Sequence, residues 1–299
     1  MMKLSHESKV RLGVGIGAFV LIVGLVFGAS RTLIHFDGPW DLDDVVSGLS
    51  GRDDAVDADV LNDGGKYSAQ SQQLSSATFD ADEFRYLDFD INAASVDVKV
   101  VDGNKVRVIE RGRVAKGVDA SKAATQNIAS VKDSALKISQ FRSDDGKAID
   151  RTVTVELPRR VAEHLKGVNA HVRSGDLQIA GIICDGFDLF LDSGDVKFAG
   201  GVTDALSAEV GSGDVTFDLN QAPANSMDVT VGSGDVEMTV PNSTGFTASL
   251  TLGSGDFESD FLPDGYDGEA VSNLEFDNGD KSATYRFAVG SGDMSFNPE

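Results

Sequence analysis

The chain has 299 residues, with 48 acidic and 26 basic side chains, a formal net charge of −22 and one cysteine. The acidic excess lies mainly beyond residue 159, where 24 acidic residues face 6 basic ones, and this disfavours nucleic acid and anionic lipid as ligands. The single cysteine, Cys184, excludes an internal disulfide and is expected to be a buried or half-buried spectator. The four histidines show no spacing typical of a zinc site or a catalytic triad.

The N-terminal segment predicts a membrane anchor. Residues 12–29 are uncharged and largely apolar, and Lys3, Lys9 and Arg11 precede them. This length reaches the lower limit of a membrane-spanning helix, and the positive flank keeps residues 1–11 in the cytoplasm. The alternative is a signal peptide that is cleaved after the small residues at its end, which releases a secreted protein. Both interpretations place the rest of the chain outside the cytoplasm.

Residues 30–83 are rich in Asp, Ser, Gly and Gln and contain few large apolar residues after Trp40. Such a composition cannot bury a core, so it predicts an acidic, flexible spacer that lifts the folded part off the membrane. Ordered structure is therefore expected to begin near Phe84.

Residues 84–159 alternate apolar and polar residues in several short runs, which is typical of strands. Residues 118–127 interrupt these runs as a short helix or a loop. The segment carries 14 basic and 11 acidic residues, unlike the acidic chain that follows. It is predicted to form irregular first coils that cap a repeat, because a bare end would expose an unpaired edge.

Residues 160–299 contain six copies of Ser-Gly-Asp followed by an apolar residue. They begin at Ser174, Ser193, Ser212, Ser233, Ser254 and Ser291, with gaps of 19, 19, 21, 21 and 37 residues. Apolar and polar residues alternate on both sides of each copy, which is the period of strands. The regular spacing predicts stacked coils of 19–21 residues, each with a strand, a corner, a second strand and a looser turn. The predicted fold class is therefore an all-β, single-chain β-solenoid preceded by one transmembrane helix.

Two irregular places adjoin the regular repeat. Asp97 lies in Ala-Ser-Val-Asp-Val, which resembles a degenerate corner, so Asp97 is expected to take the place of the motif's aspartate. The 37-residue gap contains Pro263 and the turn-forming pairs Asp264-Gly265 and Asn278-Gly279. It predicts a hairpin excursion that shields the C-terminal edge of the stack.

The Ser-Gly-Asp corner has a structural explanation, because Gly adopts backbone angles closed to other residues and Asp accepts hydrogen bonds from nearby amides in Asx-type turns. In a stack that follows chain order, the aspartates would lie roughly 5 Å apart. Their repulsion then requires hydrogen bonds, solvent or a cation. Calcium, an oxygen-binding cation, is the candidate, and its ligands would be Asp176, Asp195, Asp214, Asp235, Asp256 and Asp293. A purely structural turn is the favoured interpretation, and no cofactor is expected.

A catalytic role is not expected. Some solenoid proteins cleave polysaccharides with carboxylates, and glycosidases need two carboxylates at a defined separation. With 48 acidic residues in the chain, finding such a pair would say nothing about catalysis. The only tryptophan, Trp40, lies in the predicted spacer, so it cannot serve as an aromatic platform for sugars in the coils. A polysaccharide-active enzyme is therefore the least favoured alternative.

The order of the segments resembles a bacterial putative-adhesin family. The features that carry the resemblance are a membrane segment, an acidic spacer, strands that end in Val-Glu-Leu-Pro at 155–158, and serial Ser-Gly-Asp-Val coils. The resemblance covers residues 84–296. It implies a β-solenoid domain of the bacterial envelope, adhesion by family name and, for some relatives, a link to envelope stress responses. It carries over no catalytic motif.

Two functions are expected on these grounds. The first is an adhesin-like structural or binding module, as a monomer or an oligomer, whose ligand is an unknown protein or a cell-wall polymer. The acidic coils favour a cationic partner. The second is a regulator or sensor accessory in the envelope stress response. It would act through a membrane partner, since residues 1–11 are too few for a signalling domain.

Overall fold

The computed structural model describes residues 66–140, 146–262, 266–269 and 272–299. The predicted cytoplasmic N-terminus (1–11), the predicted anchor (12–29) and residues 30–65 of the predicted spacer lie outside these ranges. Within the described ranges, no helix has the length and apolar character needed to cross a membrane.

Strands dominate the described part of the chain. In order they are β1 (Gln72–Asp80), β2 (Tyr86–Ala93), β3 (Ser95–Val101), β4 (Lys105–Val114), β5 (Ala129–Lys132), β6 (Ala135–Gln140), β7 (Ala148–Pro158), β8 (Leu165–Ser174), β9 (Leu177–Ser193), β10 (Val196–Ser212), β11 (Val215–Gln221), β12 (Ser226–Ser233), β13 (Val236–Val240), β14 (Phe246–Leu252), β15 (Asp256–Ser259), β16 (Tyr266–Glu269), β17 (Ser272–Asn278), β18 (Ala283–Ser291) and β19 (Met294–Pro298). Two four-residue helices, α1 (Ala120–Ala123) and α2 (Arg159–Ala162), interrupt them. All these strands belong to one hydrogen-bonded sheet, so the all-β prediction is confirmed.

Each coil has two limbs, a first limb that ends at the corner and a second limb that begins after it. Apolar residues at alternate positions of both limbs face the interior. The coil around Ser193 buries Phe187, Leu189 and Leu191 on its first limb and Val196 and Phe198 on its second. Burial of each such side chain contributes about 1.5–3 kcal/mol. Because neighbouring coils enclose these side chains together, the stack is stable where a single coil is not.

Successive coils in the middle of the stack lie parallel and in register. β8 pairs with the second half of β9, which pairs with the second half of β10, and β10 pairs with β12. The opening serines of the corners therefore form one file through Ser174, Ser193, Ser212 and Ser233. The second limbs pair in the same way from β9 through β10 and β11 to β13. This parallel pairing agrees with the predicted solenoid coils.

The coils do not follow chain order at the C-terminal end of the stack. β18 lies between β12 and β14, and β19 lies between β13 and β15, with parallel pairing on both sides. The last coil, residues 283–298, is thus inserted between coil 226–240 and coil 246–259. The expectation of chain order is wrong here, because coils with the same corner and the same alternation can pack in either order.

The N-terminal end shows a similar exchange of order. β2 lies between β6 and β8, and β3 lies between β7 and β9. Coil 86–101 is therefore the second coil, so only part of the predicted cap at 84–159 is an outer layer. Within the described ranges the stack runs through eight coils, which are 135–158, 86–101, 165–183, 186–202, 205–221, 226–240, 283–298 and 246–259.

Antiparallel strands cover both ends of this stack. β5 pairs with β6, and β4 pairs with β7 and with β1, at one end. β17 pairs with β14 and β16 pairs with β15 at the other end, as expected for a hairpin excursion. This excursion covers coil 246–259 rather than the last coil. β1 lies inside the range predicted as spacer, so the predicted start of ordered structure near Phe84 is wrong. Pairing with β4 gives this weakly apolar segment, which precedes Phe84, a regular structure.

Candidate functional site

The corner glycines occupy a conformation and a space that exclude any side chain. Their φ angles lie between +121° and +133° at Gly175, Gly194, Gly213, Gly234, Gly255 and Gly292. A Cβ atom on Gly213 would lie 1.8 Å from the carbonyl oxygen of Gly194 in the neighbouring coil. Glycine is therefore required both for the backbone angle and for the close approach of the next coil.

The corner aspartates form a hydrogen-bonded ladder. The backbone N–H of one aspartate donates to Oδ1 of the aspartate in the neighbouring coil, over 2.9–3.2 Å. The spatial order is Asp176, Asp195, Asp214, Asp235, Asp293 and Asp256. The expected Asx-type turn within one corner is not what forms. Parallel stacking instead brings the amide of the next corner within reach of five of the six carboxylates.

The degenerate corner differs from its prediction. Register pairing places Ala93 opposite Ser174 and Val96 opposite Leu177, so Ser95 lies at the aspartate position. Asp97 pairs with Gln178 on the second limb instead. The predicted alignment of Asp97 with the ladder is therefore wrong, because Ala94 and Ser95 occupy the Gly and Asp positions of this corner and Asp97 lies two residues beyond them.

The ladder uses one oxygen of each accepting carboxylate for an amide, which offsets part of the repulsion between the like charges. All six aspartates are exposed. Among the residues that the structure describes, no three His, Cys, Asp or Glu side chains come together closely enough to hold a metal ion. The purely structural turn stays the prediction, and calcium binding by the ladder stays its less favoured alternative.

A patch on the outer side of two neighbouring first limbs combines a carboxylate, an imidazole and an exposed ring. Phe190 is the large apolar side chain that is exposed in the described chain, at 39 %. The rings of His171 and Phe190 meet edge to face, with their centroids 5.0 Å apart. Asp188 lies two residues before Phe190 on the same side of the strand, between Asn169 and Ser207 of the adjacent coils. His171, Asp188 and Phe190 are called the acidic aromatic patch.

Burial controls the charge of this patch. Burial raises the pKa of Asp188 to about 6, because the carboxylate is held in a partly dry surface. Burial also lowers the pKa of His171, although the nearby Asp90 opposes this change. A carboxylate beside an exposed aromatic face suits a ligand with an ammonium group, which pairs with the acid and packs on the ring.

Sequence reasoning missed this patch. Leu189 and Leu191 both occupy buried positions, so the alternation places Phe190 at an outward, normally polar position. A large apolar residue in that position is the signal that could have identified the surface. The partial burial of Asp188 gives no comparable signal, because it depends on the neighbouring coils.

A cationic cleft lies beside α2. Its volume is about 150 Å³, and it is lined by Asp82, Arg85, Arg160, Val161 and His164. Arg160 donates to Asp82 over 2.5 Å, and this contact lowers the pKa of the Asp82 carboxyl. Arg85 donates to the carbonyl oxygen of Phe84. Since both guanidinium groups already have acceptors, the cleft is a weaker binding candidate than the patch.

A buried polar network holds the N-terminal end of the stack. Glu110 is fully buried and accepts a hydrogen bond from Arg151 at 2.6 Å. It also accepts hydrogen bonds from the amide and hydroxyl of Thr125, at 2.8 and 2.6 Å. Arg151 donates in addition to the carbonyl oxygen of Ala123 in α1. The network ties α1 to β4 and β7, so its role is structural.

Cys184 lies buried in β9, which agrees with the prediction of a spectator. Burial raises the pKa of its thiol to about 12. The thiolate that nucleophilic or redox chemistry requires is therefore scarce at neutral pH.

Comparison with known proteins identifies the family. A family model described as Toastrack DUF4097 matches residues 68–297, whereas a search of curated proteins found no match. A putative cell adhesion protein from Clostridium sporogenes is 14% identical, with 77% of this chain and 100% of that chain covered and a TM-score of 0.41. A putative adhesin from Bacteroides fragilis is 15% identical, with 77% and 98% covered and a TM-score of 0.31. A putative lipid binding protein from Parabacteroides distasonis is 10% identical, with 78% and 98% covered and a TM-score of 0.25. The resemblance to a putative-adhesin family is confirmed, and because the family model spans nearly all the coils, the chain belongs to the Toastrack DUF4097 family.

Proposed function

We propose that the protein is an adhesin-like binding module of the bacterial envelope. In this proposal residues 12–29 anchor it in the membrane and the coils lie outside the cytoplasm. The observation that carries the proposal is the acidic aromatic patch, which presents a carboxylate and an exposed ring on parallel strands held by a continuous core. Such strands keep the distance between the two groups fixed, which lowers the ordering cost of binding.

The proposed ligand is a cationic group on a cell-wall polymer or on a protein. Residues 160–299 carry 24 acidic and 6 basic side chains, so the coils attract cations before contact. At the patch an ammonium group would pair with the Asp188 carboxylate and pack against the Phe190 ring. Binding would also favour the charged form of Asp188.

Binding of the full chain to isolated cell walls tests the patch. The double variant Asp188→Asn with Phe190→Ala is expected to lower the bound fraction several-fold. The matched control changes two paired residues on the second limb, Thr216→Ala with Glu237→Gln, and is expected to bind as the wild type does. Equal binding by all three proteins would exclude the patch as the binding surface.

A deletion strain tests the adhesive role itself. Lost surface attachment with a normal response to wall-active antibiotics is the expected result. Normal attachment with an altered antibiotic response would instead favour the second candidate, a regulator or sensor accessory that acts through a membrane partner.

One observation favours that second candidate. The eight coils of the described chain, at about 4.8 Å per coil, span only roughly 40 Å. This reach suits a partner close to the membrane better than one beyond the wall. A polysaccharide-active enzyme is the least favoured alternative, and release of reducing ends from wall polysaccharide by the full chain would revive it.

A further inference from the structure

The last coil is held on both sides by coils that precede it in the chain. β18 pairs with β12 from Ser226 opposite Thr284 to Ser233 opposite Ser291, and with β14 along its other edge. β19 is bordered in the same way by β13 and β15. The space that the last coil fills therefore lies between coil 226–240 and coil 246–259, and we call this space the slot.

The slot is specific for the side chains of the last coil. Tyr285 is fully buried there, donates its hydroxyl to the carbonyl oxygen of Pro223 at 2.8 Å and stacks on Phe246 with ring centroids 5.1 Å apart. Asp293 donates its amide to Asp235 and accepts the amide of Asp256, both at 2.9 Å. A second copy of the same segment reproduces all these contacts, whereas an unrelated strand does not.

The connection to the last coil is a short, strained turn. Residues 279–282 carry the chain from β17, on one side of β14, to β18 on the other side. Lys281 has a φ of +58°, a left-handed conformation that disfavours residues other than glycine. Opening the turn releases this strain, and short strained hinges favour the exchange of elements between identical chains.

Within the described ranges, the last coil is joined to the other coils through residues 279–282 alone. Coil 86–101 is also inserted out of order, but the chain continues from its two ends into β1 and β4, which pair with each other. It cannot leave its place without threading the chain, whereas the last coil can leave when the one connection at residues 279–282 opens.

We propose that the last coil exchanges between two copies of this chain. The coil of one chain fills the slot of the other, and the reciprocal exchange closes a dimer. Its contacts are those that the coil makes within one chain, so the exchange creates little new surface. The partner is a second copy, and the proposal is independent of the cationic ligand proposed above.

Cysteine pairs in separate full chains test the exchange, in a Cys184→Ser background. One chain carries Ser233→Cys and the other Ser291→Cys, two positions paired across parallel strands. Their spacing of about 4.8 Å suits a disulfide. After the two chains are refolded together, an intermolecular disulfide is expected. The matched control is Ala93→Cys with Ser174→Cys, paired at the same corner position in the other inserted coil, and there no intermolecular disulfide is expected.

Two results would overturn the proposal. In the first, the two single-cysteine chains form no intermolecular disulfide, although one chain that carries both Ser233→Cys and Ser291→Cys forms the disulfide within itself. The other is an equal yield from the control pair. Lys281→Gly, which relieves the backbone strain in the hinge, is expected to lower the yield of the intermolecular disulfide several-fold. Light scattering gives an independent readout: a dimer fraction that rises with the refolding concentration supports exchange, and monomers at every concentration contradict it.

Discussion

Asp256 donates its backbone N–H to Oδ1 of Asp293 over 2.9 Å, although Asp293 follows it by 37 residues in the chain. The ladder thus follows the spatial order of the coils and not their order in the chain. Because each inner aspartate of the ladder contributes one amide and one carboxylate oxygen, a side chain that lacks the oxygen should remove a single hydrogen bond. A substitution at one aspartate therefore tests the contribution of one hydrogen bond to stability.

Asp214→Ala is expected to lower the free energy of unfolding by about 1–2 kcal/mol, since the amide of Asp235 loses its acceptor. Asp214→Asn keeps an oxygen acceptor and removes one charge from the file, so its stability should match or exceed that of the wild type. Urea denaturation measures both. Asp204→Ala, at an exposed position in the bulge of β10, is the control and should change stability by less than about 0.5 kcal/mol. Similar losses for Asp214→Ala and Asp204→Ala would contradict the ladder's contribution.

Calcium titration separates the structural explanation of the ladder from the metal-binding one. The structural explanation predicts no binding heat in calorimetry and the same melting temperature with calcium as with a chelator. A melting temperature that rises with calcium in the wild type, and does not rise in Asp214→Asn, would contradict this expectation and support calcium binding.

Gly213→Ala is expected to cost about 3 kcal/mol or more in unfolding free energy, because the added methyl group would overlap the Gly194 carbonyl oxygen. Gly103→Ala is a matched control. Gly103 has a φ of +132°, close to the +133° of Gly213, but a Cβ there meets nothing within 4 Å. Its cost should be about 1 kcal/mol, from the backbone angle alone. Equal losses in denaturant titrations would show that the close approach of the coils is not what requires glycine.

The stability of the protein should depend on pH through Asp188. Its pKa in the folded protein is about 6, above the ordinary value of 3.8. The folded state therefore retains a proton that the unfolded chain releases, so the contribution of this group is complete below about pH 4 and is lost as the pH rises through about 6. Asp188→Asn should be more stable than the wild type above that range, by on the order of 1–2 kcal/mol, and equally stable below it. Denaturation at several pH values measures the difference in unfolding free energy between Asp188→Asn and the wild type, and Asp204→Asn serves as the control. A difference that does not change with pH would contradict the assignment of the effect to the Asp188 carboxyl.

Arg151→Met should lower the free energy of unfolding by about 3–5 kcal/mol, because it leaves the buried Glu110 carboxylate without its cation. Adding Glu110→Leu should recover part of the loss. The exposed pair between Arg107 and Glu156, 3.1 Å apart, provides the control: Arg107→Met should cost less than about 1 kcal/mol. Comparable losses for the two arginine variants would show that burial of the pair is unimportant.

Local features of the fold were predictable from the sequence. The alternation of Phe187, Leu189 and Leu191 identifies strands because each residue needs only its own position to face inward or outward. The corner glycines were recognisable for the same reason, since a positive φ is a property of one residue. The period then implied stacking, because a single coil cannot cover its own apolar side.

The order of the coils and the patch depend on contacts between distant residues. The corners at Ser254 and Ser291 are identical, so nothing in them determines which one lies next to the corner at Ser233. The buried hydroxyl of Tyr285 finds its acceptor at Pro223, 62 residues earlier. The pairing of Glu110 with Arg151, 41 residues apart, is equally invisible to local patterns.

Insertion of the last coil makes residues 283–298 an internal layer on which the outer coil depends. A product cut short before residue 283 lacks an inner layer, and coil 246–259 then loses its neighbour as well. Residues 283–298 must therefore be in place before coil 246–259 can pack onto the rest of the stack. Proteolytic removal of residues 283–298 should harm this protein far more than trimming an outermost layer would.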